Sequence, residues 1–401
     1  MTSVTEHLAR VLTLAKPLPP RRQGLSSCRG LVLAEALAAR SAVPPFDNSA
    51  MDGFAVRRED LDQLPVCLRV LDEVPAGRAS TLSPGPGECL RIMTGAPVPE
   101  CCDQVVPVEL TDQPAGDVPL PEQVTIQALP SRDHIRRRGE DAEVGDDVLP
   151  VGTLLDPAAL AAAASTGHGE LLVRPRPRVA VLATGAELVE PGRLPGPGQI
   201  PDSNSLMVAG LLDEAGAEIV WQGHVADRPE ELADALAEAL DLADLVVTTG
   251  GVSVGTHDVM HSVEGLHFDH LHQSPGGPQG WGLLQDATAT PVPVLALPGN
   301  PVAAFVSVHL YAVPVLERLA GHAPGPRLAP GVAGQRFTSK PGRRSIVPVR
   351  LVDGRAVATS AGPGAGSHRI ATLHRAEALA VIDEERTTVE PGDRLDLLPL
   401  G

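Results

Sequence analysis

The sequence predicts a multidomain α/β plus β protein, and three observations carry that reading. From Arg178 onward, apolar runs of strand length alternate with helix-period segments, which demands crossover connections and a central doubly wound, mostly parallel sheet. On either side, between Ser41 and Arg138 and again after Gly321, short apolar runs are punctuated by proline and glycine, as in loop-rich β modules. With 401 residues the chain can also bury more than one core of ordinary size. The expected parts are an elongated N-terminal linker domain (1–43 and 139–170), a β-rich insertion domain (44–138), a central α/β domain (171–321) and a C-terminal β-barrel-like domain (322–401).

The elements follow in order. Ser3 and Glu6 have the spacing of a capping box, and Leu8, Val11 and Leu12 recur at helical spacing, so an amphipathic helix opens the chain and ends over Lys16 to Pro20. The apolar stretch Leu31 to Ala39 reads as a second helix starting near Gly30. Val66 to Val70 and Val124 to Ile126 are strands of the insertion domain, and Pro157 to Thr166 is an alanine-rich helix. The α/β segment then gives strand Val179 to Ala183, helix Ser205 to Ala215 closed by Gly216, and strand Glu218 to Gln222. It continues with helix Glu230 to Ala243, strand Leu245 to Val247, strand Val292 to Leu297 and a long helix Val302 to Leu319. Ser345 to Leu351, Ala356 to Thr359 and Ala378 to Ile382 are strands of the C-terminal domain.

Composition removes several function classes. The formal charge of −18 repels nucleic acid and anionic membrane surfaces, and at 2% aromatic content the chain has few platforms on which bases could stack. Neither nucleic acid nor a membrane is an expected partner: no uninterrupted apolar run approaches the ~18 residues of a span, and the N-terminus lacks a charged lead with an apolar core. The five cysteines form no CxxC pair, which favours a reducing, cytoplasmic setting. Lysine occurs only as Lys16 and Lys340, a bias that fits genome composition better than a dedicated phosphate site.

Three strand ends finish in polar or glycine-rich loops: Thr184-Gly185-Ala186-Glu187, Thr249 to Asp258, and Pro298-Gly299-Asn300-Pro301. Taken singly, each could be an ordinary turn or helix cap; loops that converge on one edge of a parallel sheet build one site. In the second loop Gly250, Gly251 and Gly255 let backbone N–H groups approach phosphate oxygens, while Thr249 and Ser253 add donors and Asp258 offers a carboxylate to a divalent cation. Asp202 and Asn204 open the helix after the first loop. A dinucleotide fingerprint is excluded, because the first βα unit has no G-x-G-x-x-G. Outside this segment, Pro45 to Val56 places Asp47 and Asp52 around a small-residue turn, and Arg136-Arg137-Arg138-Gly139-Glu140-Asp141 sets three cations before two acids, a pattern able to clamp an oxyanion beside a metal-binding carboxylate.

The strings PPFDNSAMDGFAVR, RIMTGAPVP, RRRGEDAEVG, TGAEL, TTGGVSVGTHD, LPGNPVA and GAGSH occur in that order, and together they resemble the molybdopterin molybdenumtransferase family, which includes the enzyme domain of gephyrin. The resemblance runs from about residue 4 to about residue 398. It implies an enzyme that inserts molybdenum from molybdate into adenylylated molybdopterin with Mg²⁺ and releases AMP. It implies catalytic residues at Asp52, Thr94, Asp141, Glu187, Asp227 and Asp258, with Glu187 and Asp258 holding the metal. Substrate contacts are implied for Arg137, Pro298, Gly299, Asn300, Pro301, Arg350 and Ser367, beside Thr184, Gly185, Asp202, Asn204, Thr249, Gly250, Gly251, Ser253 and Gly255. The family architecture implies an elongated homodimer that completes the pterin pocket of one subunit with the N-terminal region of the other, and a contact with the protein that adenylylates the pterin. The chain departs from the family where many members carry lysines, reading Ser274-Pro275-Gly276-Gly277-Pro278. His257, His261, His267, His270 and His272 lie nearby; His270 is a candidate for the missing positive charge, against a zinc site or plain surface histidines. The alternative function is a non-catalytic pterin-binding or scaffold paralogue without the anion site.

Overall fold

The structure is a computed structural model and describes residues 2–116, 118–252, 259–325, 327–360 and 369–400. The chain folds as two compact units, one of Met1–Arg21, Gly30–Ala34 and Val173–Gly401, the other of Arg22–Arg29 and Glu35–Leu172.

In the first unit, helix α1 (Val4–Leu14) starts at the capping box read from the sequence: Glu6 N donates to Ser3 Oγ at 3.2 Å, and Ser3 N donates to Glu6 Oε2 at 2.9 Å. Six strands form the central sheet: β1 (Arg178–Thr184), β2 (Glu218–Val225), β3 (Leu245–Thr249), β4 (Leu266–His270), β5 (Pro278–Gln285) and β6 (Pro291–Leu297). Their order is β2-β1-β3-β6-β5-β4. The first four run parallel, β5 antiparallel to β6 and β4 antiparallel to β5. Register aligns the carboxyl ends, with Thr184 opposite Val225, Ala183 opposite Thr249, and Thr249 opposite Leu297.

Alternation along these strands sends side chains to two cores. Val179, Val181, Val247 and Leu295 pack with helix α2 (Asn204–Glu214), with helix α4 (Pro301–Ala320) and with α1 through Val11. Ala180, Leu182, Val246 and Val294 pack on the opposite face with Leu232, Leu236 and Leu240 of helix α3 (Pro229–Leu242). Helix α4 has the length and composition of a membrane span, yet 78% of that window is buried inside the molecule, as the core helix of a packed domain.

The antiparallel pair β4–β5 is absent from the sequence reading. Its β5 strand carries Gly280 and Gly282, poor strand formers by propensity, and packing explains them. A Cβ at Gly280 would meet the Phe268 ring at 2.8 Å and the Ala296 methyl at 2.9 Å.

The C-terminal strands form a second sheet, ordered Gln273–Ser274, Arg344–Val352, Ala378–Ile382, Arg394–Pro399, Ala329–Val332, with Arg355–Ala358 paired to Arg344–Val352. It encloses a core around Phe337, Val347, Val349 and Leu395. Its edge strand, Gln273–Ser274, belongs to the α/β segment and pairs parallel with Arg344–Ser345, so this sheet is grafted directly onto the central domain.

In the second unit Gly53–Val56, Val66–Val74, Glu88–Ile92, Gln104–Pro107 and Gln123–Ile126 form a five-stranded sheet with an apolar cluster on each face, and helix Pro157–Ser165 starts at an Asp156 cap. The stretch Leu31 to Ala39 is not the helix its apolar run suggests. Val32–Leu33 pairs with Val173 and Arg174, while Leu37–Ala38 pairs with Asp147 and Leu149. Two separate ladders claim the two halves, and tertiary pairing overrides the helical propensity of the run.

Candidate functional site

A cavity of about 860 Å³ opens at the carboxyl edge of the central sheet, and all three strand-end loops line it. The loops touch one another. Gly250 N donates to Leu297 O at 3.0 Å, the Thr184 hydroxyl donates to Thr249 O at 3.4 Å, and Asn204 Nδ2 donates to Gly299 O at 2.7 Å. Gly250, at φ +93°, sits so close to the first loop that a Cβ there would meet Thr184 O at 2.4 Å; Gly299 in turn lies against Gly250. Thr249 is 1% exposed and its hydroxyl has no partner within the described protein, as does Asn204 Oδ1. Buried polar groups without partners carry a free-energy cost, so unpartnered groups lining a cavity mark where a polar ligand sits.

Carboxylates gather beside the first loop. Asp227 accepts from Ala186 N at 3.0 Å, and the Glu187 carboxylate folds over Gly185. Asp202 also lines the cavity, but both its oxygens serve the start of α2: one accepts from Ser205 N at 3.0 Å and the other from the Ser205 hydroxyl. Glu187 and Asp227 supply hard oxygen donors, the set suited to Mg²⁺, which is held by one or two carboxylates together with substrate phosphates and waters.

The structure thus gathers Thr184, Gly185, Glu187, Asp202, Asn204, Asp227, Thr249, Gly250, Gly251 and Pro298 to Pro301 around one cavity. Ser253, Gly255, Asp258 and Ser367 lie outside the described residues, as does His257. Arg350 is exposed on Arg344–Val352, opposite Val357, and does not line the cavity.

The sequence reading marked Ser274 to Pro278 as the place where family lysines are missing, but not as a wall of the cavity. Ser274, Pro275 and Gly276 line the cavity at the entry to β5, next to Thr338, Lys340, Ser345 and Val347 of the C-terminal sheet. A polar brace supports this turn: Gln273 Nε2 donates to Pro275 O at 2.8 Å, Gln279 Nε2 donates to Gly276 O at 2.8 Å and to Ser307 Oγ at 2.7 Å, and the Tyr311 hydroxyl donates to Gln273 Oε1. Both glutamines are 1% exposed.

The histidines disperse. The His261 ring stacks on Phe268 and His267 on Trp281, while the His272 ring contacts Gly342 O at 2.9 Å. The His270 ring lies where a side chain at Gly277 would begin, 3.3 Å from that Cβ position, outside the cavity lining. Among the described residues no three His, Cys, Asp or Glu side chains cluster as metal ligands.

The second unit holds the other acids. Asp52 Oδ1 accepts from Thr94 N at 2.7 Å and from the Thr94 hydroxyl at 2.8 Å, which ties together two turns 42 positions apart in the sequence. Asp141 borders a separate recess of about 610 Å³ with Asp133, His134 and Arg136. Arg137 is bound to Asp47 at 2.9 Å and Asp133 at 2.6 Å. Asp47 is held below the usual carboxylate range, first by the Arg138 backbone N–H and then by the Arg137 guanidinium.

Comparison with known proteins agrees with this arrangement. Residues 2–167 match the MoeA N-terminal region (domain I and II), residues 180–318 a probable molybdopterin binding domain, and residues 330–400 the MoeA C-terminal region (domain IV). Molybdopterin molybdenumtransferase 2 of Mycobacterium tuberculosis is 38% identical over 100% of both chains. The molybdopterin molybdenumtransferase of a Nostoc species is 34% identical over 94% of this chain and 88% of its own. A crystal structure of a molybdopterin biosynthesis MoeA protein from Pyrococcus horikoshii superposes with a TM-score of 0.82 at 27% identity, covering 100% of this chain and 99% of that one; a second gives 0.78 at 24%, covering 99% of each. The chain belongs to the molybdopterin molybdenumtransferase family, the transferases of molybdenum cofactor biosynthesis.

Proposed function

We propose that this chain transfers molybdenum from molybdate to adenylylated molybdopterin and releases AMP. The observation that carries the reading is the cavity itself: three glycine-bearing loops at one sheet edge, with the unpartnered Thr249 hydroxyl among them and two carboxylates, Glu187 and Asp227, beside the first. Backbone N–H groups at such loops suit phosphate oxygens, and the parallel-sheet edge is the ordinary place for a nucleotide. Glu187 and Asp227 are the described residues to hold Mg²⁺, together with Asp258. A Mg²⁺ ion held by these carboxylates would neutralise the phosphate charge of the phosphoanhydride. Thr249, Asn204 and the Pro298 to Pro301 turn hold and orient the pterin nucleotide, and the loops shield the reacting phosphates from bulk water.

The acids of the second unit, with Asp52 fixed by Thr94 and Asp141 in its own recess, are assigned to the same reaction through a homodimer. The five cysteines are all free, which supports a cytoplasmic setting, where the pterin would be received from the protein that adenylylates it.

The test supplies purified protein with adenylylated molybdopterin, Mg²⁺ and varied molybdate. AMP release that rises with molybdate and stops on chelation of Mg²⁺ is expected. Tight pterin binding with no AMP release at any molybdate concentration sinks the transferase reading and favours a binding or scaffold role.

A further inference from the structure

The cavity is polarised. Its described carboxylates, Glu187, Asp202 and Asp227, all follow β1 or β2. The turn at Ser274 to Pro278 enters β5, three strand positions from β1 in the order β1-β3-β6-β5, on the order of 14 Å away at ~4.8 Å per strand. At that far end the wall is completed by Thr338, Lys340 and Ser345 of the C-terminal sheet. This wall is fixed: Gln273 and Ser274 pair in register with Arg344 and Ser345, and Arg344 N donates to His272 O at 2.8 Å.

Lys340 is the only cation among the described residues lining the cavity, in a chain that has two lysines in all. Of the neighbouring arginines, Arg336 pairs with Glu390, Arg344 with Asp383 and Arg386 with Asp393, and Arg343 does not line the cavity, whereas Lys340 lines it and pairs with no described carboxylate. The same lining holds Ser274, Thr338 and Ser345, hydroxyl residues able to donate to the oxygens of a tetrahedral anion, with the Ser345 hydroxyl also sharing a hydrogen bond of 2.7 Å with Ser339 Oγ. A dianion entering a protein of net charge −18 is repelled by the carboxylate end and needs a fixed cation elsewhere.

We propose that Lys340, from the C-terminal domain, is the charged residue that binds the tetrahedral oxyanion substrate and sets its affinity. The proposal rests on the transferase reading and adds the residue that admits the anion, at the opposite end of the cavity from the metal-binding carboxylates.

The experiment uses the full-length protein with adenylylated molybdopterin and Mg²⁺ saturating and molybdate varied. For Lys340→Ala the molybdate KM is expected to rise about tenfold to a hundredfold, the loss of one charged hydrogen bond, while kcat at saturating molybdate stays within about threefold. Lys340→Arg restores most of the affinity, and equilibrium dialysis of tungstate without pterin gives the same ranking. Lys340 is exposed, so the alanine variant keeps the thermal midpoint of the parent and folding does not confuse the result. If wild-type turnover depends on molybdate and the alanine variant has an unchanged molybdate KM, the lysine assignment is overturned and the reaction assignment stands. If the wild-type protein shows no molybdate dependence, both fall.

Discussion

At the residue scale, the site depends on places where only one side chain fits. Gly250 is the sharpest: φ is +93°, and a methyl would lie 2.4 Å from Thr184 O. Gly250→Ala must therefore push the first and second loops apart, at a cost of about 1–3 kcal/mol for the backbone alone. Reduced stability in urea, together with a drop in AMP release of tenfold or more, is the expected pair of results (about 1.4 kcal/mol of transition-state positioning). A variant with normal turnover would show that the loops do not meet as described. His309 is a residue of a different kind. It sits on a π-helical stretch of α4, Val308–Ala312, with Nε2 buried and unpartnered, and burial pushes its pKa down to about 4. The unfolded chain takes up this proton near pH 6.5 and the folded chain only near 4. The unfolded state therefore binds more protons between these values, and stability is lost as pH falls through that window, with no effect above it. Between pH 7 and pH 5 this group alone removes about 2 kcal/mol. His309→Leu should flatten that part of the profile, read as the difference in urea midpoint between the two pH values; equal slopes for parent and variant would refute the assignment.

At the scale of elements, the loops after β1, β3 and β6 were legible because they are local. Each is a short string of glycine, proline, hydroxyl and carboxylate residues directly following an apolar strand, and register then carries their ends to the same edge. The Ser274 to Pro278 stretch was marked in the sequence by its missing lysines, but the brace that makes it a wall was not legible, because what holds it is non-local. Gln273 and Tyr311 are 38 positions apart, and nothing in the glutamines' neighbourhood marks them as braces of backbone carbonyls. The strand pair that frames this wall was hidden for a related reason: glycines that weaken strand propensity are required there by close packing. The Leu31 to Ala39 run erred in the opposite direction, since an unbroken apolar stretch has no period to separate two short strands from a helix. The brace makes its own prediction. Tyr311 is the only tyrosine of the chain and is 1% exposed; Tyr311→Phe leaves the buried Gln273 Oε1 without its donor, at about 1–3 kcal/mol. The loss should appear in urea unfolding, together with a rise in molybdate KM as the Ser274 to Gly276 turn loosens. Unchanged stability would show that water satisfies the glutamine and that the brace holds nothing.

At the scale of the whole molecule, the order of parts was readable from punctuation and periodicity, and the family resemblance pointed to the C-terminal domain through Arg350 and Ser367, but the residues of that domain that line the cavity were not read. Thr338, Lys340 and Ser345 reach it only because Gln273–Ser274 serves as an edge strand of that sheet. Net charge then acts on the completed cavity over two ranges. The field of a −18 protein extends about 30 Å at 10 mM salt but only about 8 Å at 150 mM, so at low salt it repels an approaching anion well before contact. The Lys340 contact operates at hydrogen-bond distance and is screened far less. Raising salt from 10 to 150 mM should therefore increase kcat/KM for molybdate, the reverse of the behaviour of a basic binding site, until screening of the direct contact takes over at higher concentrations. Lys340→Ala should keep the rise at low salt and lose the later decline, because it removes the contact and leaves the field. A steady fall of kcat/KM from the lowest salt upward in the parent protein would mean that local positive charge dominates the approach, contrary to the arrangement of carboxylates and a single lysine around the described cavity.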